Sequence, residues 1–444
     1  MVGGLSKKQA IEEAARCPQC ADPVCVEGCP LHIDIPVFIR SLREGNAAEA
    51  LNKIREANVL TGICGRACSA PCETACILNE EKSPISIRAL ERYAWDHGHR
   101  RQPIKKSSAG QKIKIAVVGS GPAGLTAAVE LVRLGYQVTV FESLHEAGGV
   151  LSYGIPEFRL PRKILGAELE YVRSLGVEVR TNTLLGPMMS IKEIFETGYQ
   201  AILLALGAGV PKFSNIPGEN LVGVYLADEF LMRVNLMKAV QYPNYGTPLC
   251  LGHKVTVIGR GHPAMDSART LVRLGKEVTL VHQGTEEDIF LKAEELAQAR
   301  EEGVQLEFLT RVTQIIPDEQ EAVAGVKCLR LDFAETHSTA ANGWQLLPVA
   351  GSEFTLESDS VIIAVGHRPN TQMAFWFKDL QMNKNGTIWT AKNSFMTSLC
   401  GVFVGGNLQA VGPLVNAMGQ AQKAVKEIHD YVQTQVPKNV KRVK

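Results

Sequence analysis

The chain has 444 residues, 45% of them apolar and 21% charged, with a formal net charge of +1. That length exceeds what one hydrophobic core organises, so two or three domains are expected, and the composition excludes a disordered or fibrous chain. Near-neutral charge gives no broad attraction to nucleic acid or an anionic membrane.

The densest apolar run, residues 201–210, is about half the roughly 20 residues that a membrane span requires. The amino terminus also lacks a signal-peptide pattern, so a soluble cytoplasmic protein is expected. The basic tail of Lys438, Lys441, Arg442 and Lys444 reads as a solvated end.

In chain order, the first segment, residues 1–105, is cysteine-rich, with short helices expected over 35–44 and 47–57. Eight of the eleven cysteines fall between Cys17 and Cys76. A disulfide framework suits a small secreted domain, whereas a long chain without an export signal points to metal or redox use. One group is Cys17, Cys20, Cys25 and Cys29, followed by Pro30; the other is Cys64, Cys68, Cys72 and Cys76. Two groups of four suggest two four-iron clusters, because thiolates are soft, anionic donors and short spacings let one loop wrap several corners of a cube. Zinc competes, but its structural sites favour paired CxxC or Cys/His knuckles, and only Cys17 and Cys20 make such a pair. On spacing alone Cys64 is the eighth ligand.

A polar, Pro- and Gly-containing stretch at 100–111 reads as a linker. Beyond it, residues 114–142 read as a strand at 115–118, a glycine turn, a helix at 122–134 and a second strand at 138–141, the start of a βαβ unit. The same unit recurs at 254–282 without a gap, at a constant offset of 140 residues, with Leu131-Val132-Arg133-Leu134-Gly135 matched by Leu271-Val272-Arg273-Leu274-Gly275. The fold class that follows is α/β, with two Rossmann-like dinucleotide-binding domains behind a mainly helical amino-terminal segment.

In the first copy Gly119, Gly121, Pro122, Ala123 and Gly124 make a GxGxxG turn between strand and helix. The first glycine permits the tight turn, the second lets a pyrophosphate approach the backbone, and the third lets helix and strand pack closely. Glu142 ends the second strand, placed to accept hydrogen bonds from an adenosine ribose, so FAD or NAD with a free 2′-hydroxyl is expected. The second copy reads Gly259, Gly261, His262, Pro263 and Ala264, and the position of Glu142 is taken by His282, followed by Gln283. With neither an acid for NAD nor an arginine there for the 2′-phosphate of NADP, a nicotinamide site and a weakened site kept for folding both remain open.

The residues from Cys17 to Pro30, the segment Gly65 to Glu73, the first glycine turn, the segment Gly148 to Pro161 and Ile216-Pro217-Gly218-Glu219 together resemble the glutamate synthase small (beta) subunit family. Relatives are the amino-terminal part of dihydropyrimidine dehydrogenase and the large subunit of ferredoxin:NADP transhydrogenase. The resemblance covers almost the whole chain. It implies crossed ligation, with Cys17, Cys20, Cys25 and Cys76 on one 4Fe-4S cluster, and Cys29, Cys68, Cys72 and Glu91, which follows a Pro-Ile-x-Ile stretch, on the other. Cys64 is then a non-ligand, and the compositional reading stays open beside it.

The resemblance further implies FAD between clusters and nicotinamide, with Glu142, Gly149, Val150 and Arg159 around it. It places Gly406 and Asn407 at the flavin, Asn407 standing where relatives carry aspartate, and starts a helix at Gly412. Relatives have a Tyr-Arg-Arg-like stretch where this chain has Val281-His282-Gln283-Gly284, while Ala364, Gly366 and Pro369 keep the family's Ala-x-Gly-x-x-Pro pattern. The domains implied are 1–105 for the clusters, 112–248 with 367–432 for FAD, and 249–366 for NAD(P)H. The expected activity passes electrons between NAD(P)H and a partner protein bearing the terminal redox site, through FAD and the clusters. Glutamate synthase, pyrimidine reduction, flavin-based bifurcation and accessory roles to a hydrogenase or formate dehydrogenase all fit, as does a relay subunit with a dead nicotinamide site.

Overall fold

In the computed structural model the apolar run at 115–118 lies in the strand Lys114–Val118, buried along both faces as a central parallel strand is. The structure describes residues 4–81, 83–98, 113–289, 291–335, 344–368, 373–408 and 412–435. The linker at 100–111, Pro369 and the basic tail lie outside the described residues.

The chain divides into two compact units, 1–152 with 157–209 and 369–444, and 153–156 with 210–368. The first unit holds a five-stranded sheet in the order Val402–Val404, Tyr199–Leu204, Lys114–Val118, Gln137–Phe141 and Glu178–Arg180, all parallel. The second holds its counterpart, Val224–Leu226, Ser360–Ala364, Lys254–Gly259, Glu277–Val281 and Gln305–Glu307, also parallel. The repeat extends to the pairing register, since Lys114 lies opposite Gln137 and Lys254 opposite Glu277.

An antiparallel sheet of Thr310–Pro317, Val323–Glu335, Trp344–Pro348 and Phe354–Glu357 completes the second unit. The chain passes between the units four times, and the two ends of the segment 210–368 run side by side within the second unit, Val210–Pro211 pairing antiparallel with His367–Arg368. Residues 210–248, expected with the FAD segment, fall in the second unit because Val224–Leu226 pairs with Ser360–Ala364 of its sheet.

The amino-terminal residues are helical as expected, including Ile35–Arg43, Ala47–Ala57, Thr61–Ala67 and Ile87–Gly98. They pack within the first unit rather than standing apart. The Arg133 guanidinium donates to the carbonyls of Arg55 and Glu56, the Gln422 amide donates to the Ala57 carbonyl, and a Cβ on Gly419 would lie 2.5 Å from the Pro30 carbonyl oxygen. Among the described residues no helix is long and apolar enough to cross a membrane.

Candidate functional site

The eight cysteines and Glu91 gather around two cavities, and membership is crossed between the sequence groups. The first cavity is lined by Cys17, Cys20, Cys25 and Cys76. The second is lined by Cys29, Cys64, Cys68, Cys72 and Glu91. Short elements achieve this. Cys25 lies on the four-residue helix Val24–Glu27 and Cys72 on Pro71–Thr74, with Ala70 in a left-handed conformation turning the chain between Cys68 and Cys72. The remaining walls are apolar except for Asn58 in the second cavity, and Ile35 and Ile87 line both cavities. Among the described residues no three His, Cys, Asp or Glu side chains converge as a single-ion site requires.

Burial is the main force on these groups. It pushes the Cys25 thiol up to about 11, with Cys17 and Cys76 adding to the effect, and the Cys68 thiol up to about 12, with Glu91 adding. Cys29 and Cys72 are raised for the same reason. Crowded, desolvated thiolates of this kind call for a cationic partner, and an iron–sulfur core is one that thiolates bind. The donor set therefore fits two clusters.

Glu91 is buried on the helix Ile87–Gly98 and its Oε1 accepts the Asn58 amide at 2.6 Å. Burial raises its carboxyl to about 8. Cys64, raised well above the ordinary thiol range by burial, stands 3.8 Å from the sulfur of Met418. Both candidates for the eighth ligand line the same cavity.

At the first glycine turn the cradle anticipated from the sequence is visible. Gly119 has φ +103° and packs on the Ala205 carbonyl, while a Cβ on Gly124 would collide with the Gly119 carbonyl. Gly121 is open, with no atom near where its Cβ would be, and the helix Pro122–Arg133 starts there. Gly149 and Gly406, both at positive φ, close on this turn, their Cβ positions lying 2.9 Å from the Gly121 Cα and 2.7 Å from the Ala123 Cβ. Backbone bared at a helix amino terminus is what a pyrophosphate needs, so the residues fit a dinucleotide.

Glu142 is buried. It accepts from the Ser120 N–H at 2.9 Å and hydroxyl at 2.6 Å through one oxygen, and from the Leu144 N–H at 2.9 Å through the other. Val150 opens the helix Val150–Tyr153, and Arg159 lies in the following turn. The Asn407 side chain donates to the Gly412 carbonyl at 3.1 Å and accepts the Gly412 N–H at 3.2 Å. The long helix expected to begin at Gly412 begins instead at Leu414.

In the second copy Gly259 packs on the Ala364 carbonyl, and Gly261 has φ +81° with open space beside it. The helix His262–Arg273 follows, with Pro263 in its first turn and Ala264 buried. The His262 ring lies 3.6 Å from Glu295, and Gly366 has φ +101°. His282, at the end of Glu277–Val281 and followed by Gln283, is buried, and its Nε2 has no partner among the described residues. Burial lowers its pKa, with Arg260 lowering it further and Asp288 opposing. Arg260 is a cation beside His282 that sequence reading did not single out. It lies between the two glycines rather than after the second strand, yet its charge acts on both His282 and Asp288.

Comparison with known proteins agrees with this geometry. Residues 1–103 match the family described as dihydropyrimidine dehydrogenase domain II, 4Fe-4S cluster, and residues 113–427 match the pyridine nucleotide-disulphide oxidoreductase family. The chain is 32% identical to the glutamate synthase [NADPH] small chain of Escherichia coli strain K12 over 97% of this chain and 93% of that protein. It is also 32% identical to the NADP(+)-dependent formate dehydrogenase subunit beta of Moorella thermoacetica, over 92% of this chain but only 60% of that longer protein. Among solved structures, Mycobacterium tuberculosis FprA in complex with NADPH superposes with a TM-score of 0.59 over 73% of this chain and 85% of that one, at 19% identity, a likeness of fold alone.

Proposed function

The chain belongs to the pyridine nucleotide-disulphide oxidoreductase family, in the group that includes the glutamate synthase small chains, and from that premise we propose that it is an electron-transfer subunit. It takes reducing equivalents from NADPH and hands single electrons to a partner protein bearing the terminal redox site. The crossed membership of the two cavities carries this reading.

Cys17, Cys20, Cys25 and Cys76 would hold one 4Fe-4S cluster, and Cys29, Cys68, Cys72 and Glu91 the other. Gly119 to Gly124, Glu142, Gly149, Val150, Arg159, Gly406, Asn407 and Gly412 would hold FAD. Gly259 to Ala264, His282, Gln283, Ala364 and Gly366 would hold the nicotinamide nucleotide, with Arg260 supplying the cation for a 2′-phosphate. When bound, FAD converts a two-electron hydride into single electrons, which clusters accept one at a time.

The protein's part is to fix distances and exclude water. The second cavity is walled by Val415 and adjoins Met418 through Cys64, both on the helix that follows Asn407 and Gly412. Ile35 and Ile87 separate it from the first cavity, which is rimmed by Val24 at 44% exposure and Ile77 at 45%. That order, from flavin side to surface, suits a relay ending at a docked partner. The free thiols suit a reducing cytoplasm.

An anaerobically reconstituted chain is expected to show two distinct cluster signals by electron paramagnetic resonance and to reduce an artificial dye with NADPH faster than with NADH. A flavin-loaded chain that reduces no dye with either nucleotide would leave only the relay reading, which rests on His282 and Gln283 replacing the usual nucleotide contacts.

A further inference from the structure

We infer that Asn58 is a positioning residue for the second cluster, fixing the Glu91 carboxylate through one oxygen so that the other is left for iron. This rests on the reading that Glu91 is a ligand, and goes beyond it by naming what makes an acid able to serve there.

Asn58 is fully buried and every polar group it has is engaged. Its N–H donates to the Ile54 carbonyl at 2.8 Å, closing the helix Ala47–Ala57. Its carbonyl accepts the Thr61 hydroxyl at 2.9 Å, and its Oδ1 accepts the Leu60 N–H at 3.0 Å, so it also prepares the start of Thr61–Ala67. That last bond decides the orientation of the amide. An oxygen committed to Leu60 leaves the nitrogen as the atom facing Glu91, so the 2.6 Å contact is amide to carboxylate and not the repulsive reverse.

Glu91 Oε2 takes no hydrogen bond from a described residue, while the side chain lines the second cavity beside Cys29, Cys68 and Cys72. A carboxylate held at one oxygen has lost its freedom to swing, and outer partners of this type orient metal ligands. Cys64, one turn along from Leu60 and packed on the Met418 sulfur, also lies within reach of the Asn58 amide, and what sets Glu91 apart is the 2.6 Å contact to its Oε1.

A role as helix cap alone would be met by Oδ1 and the backbone. Asn58→Ser separates the two roles, because a serine hydroxyl can still accept the Leu60 N–H but cannot span to Glu91. The experiment follows cluster loss in the flavin-loaded, reconstituted full chain during exposure to an iron chelator, reading each cluster's paramagnetic signal, with Glu91→Ala in parallel. Loss of an outer partner lowers metal affinity about 10- to 100-fold, so the second cluster should be lost about tenfold faster or more in Asn58→Ser, with changed g-values, while the first cluster and bound FAD hold. Asn58→Asp, which keeps the cap but loses the amide donor, should act in the same direction at pH 8.

Unchanged second-cluster behaviour in both Asn58 variants, with Glu91→Ala still accelerating loss, overturns the positioning role alone. Equal weakening of both clusters and FAD also overturns it, showing a folding role. Unaltered signals in Glu91→Ala sink the ligand reading itself.

Discussion

Glu168 reaches from the FAD segment to the start of a cluster-segment helix, its Oε1 accepting the Gly62 N–H at 2.6 Å across 106 residues of sequence. The carboxylate is fully buried, with the Arg55 guanidinium 3.8 Å from the other oxygen and stacked 4.0 Å over the Tyr171 ring. Burial outweighs the attraction of Arg55 and the Gly62 bond, so the carboxyl pKa is raised. Glu168→Ala strands both the Gly62 N–H and Arg55, and is expected to destabilise the unit by about 3 kcal/mol in denaturant titration. Glu168→Gln keeps the acceptor without the buried charge and is expected within about 1 kcal/mol of the parent. The raised pKa means the folded chain binds this proton more tightly than the unfolded chain. Stability from this group is therefore greatest below the unfolded value and declines as pH rises through the folded one, a slope that Glu168→Gln should remove.

Asn407 and Gly412 exchange two hydrogen bonds, one donated and one accepted by the same side chain. An aspartate, as in the relatives that the sequence resembles, accepts the Gly412 N–H but cannot donate to the Gly412 carbonyl. Asn407→Ala loses both bonds, worth about 1 kcal/mol each, and is expected to weaken FAD retention about tenfold by flavin fluorescence. Asn407→Asp should retain FAD better than Asn407→Ala, since one bond survives; equal loss would mean that the pair does not support the flavin site.

The two glycine turns and their strands were legible because each tight turn leaves a fixed residue pattern, and the repeat carried the reading as far as strand register. The edge of the second unit was not, because Val224–Leu226 is a three-residue strand whose half-buried side chains carry no strong periodic signal. The crossed grouping of the cysteines was implied by resemblance rather than spacing, since spacing cannot show that Cys76 returns to the cavity of Cys17. Asn58 was invisible to motif reading. A buried amide becomes meaningful only when its partner, 33 residues away, is known.

In the proposed function Arg260 would take the place of the arginine missing after Val281. Its charge depresses the His282 pKa and acts on Asp288, so it lies by the strand end where the adenosine ribose is expected. Arg260→Gln should weaken binding of 2′,5′-ADP about tenfold or more while leaving 5′-AMP little changed, a selectivity that follows from losing one charge-assisted hydrogen bond. Equal weakening of the two ligands in calorimetry would mean that Arg260 does not read the 2′-phosphate.

His367 and Asp228 form a 2.5 Å ion-pair contact beside the passage between units, and that bond raises the His367 pKa above its usual value. A raised histidine stabilises most fully below its unfolded pKa, about 6.5, and the contribution is lost as pH rises through the folded value. The parent chain should therefore lose thermal stability from this group across that window, while His367→Gln should lack that part of the slope. Identical pH profiles would show the pair to be energetically silent.

The last test uses the internal repeat as its own control. Gly124 and Ala264 occupy equivalent positions, yet a Cβ at 124 would collide with the Gly119 carbonyl, whereas the Ala264 Cβ is accommodated in a buried site. The turns differ in the backbone that precedes these helices. Gly119 has φ +103° and Gly259 φ +153°, and the helix cap is extended at Gly121 (φ −66°) but at positive φ at Gly261 (φ +81°). A methyl group that one copy carries should thus be excluded from the other. Gly124→Ala is expected to force the turn open and to lower FAD retention sharply. Ala264→Gly should cost about 1 kcal/mol of helix propensity and little nucleotide affinity. The two substitutions shift helix propensity in opposite directions, so loss of FAD in Gly124→Ala, despite a better helix former, isolates turn geometry from helix stability. Firmer FAD retention in Gly124→Ala together with weakened nucleotide binding in Ala264→Gly would place the cause in the helices instead.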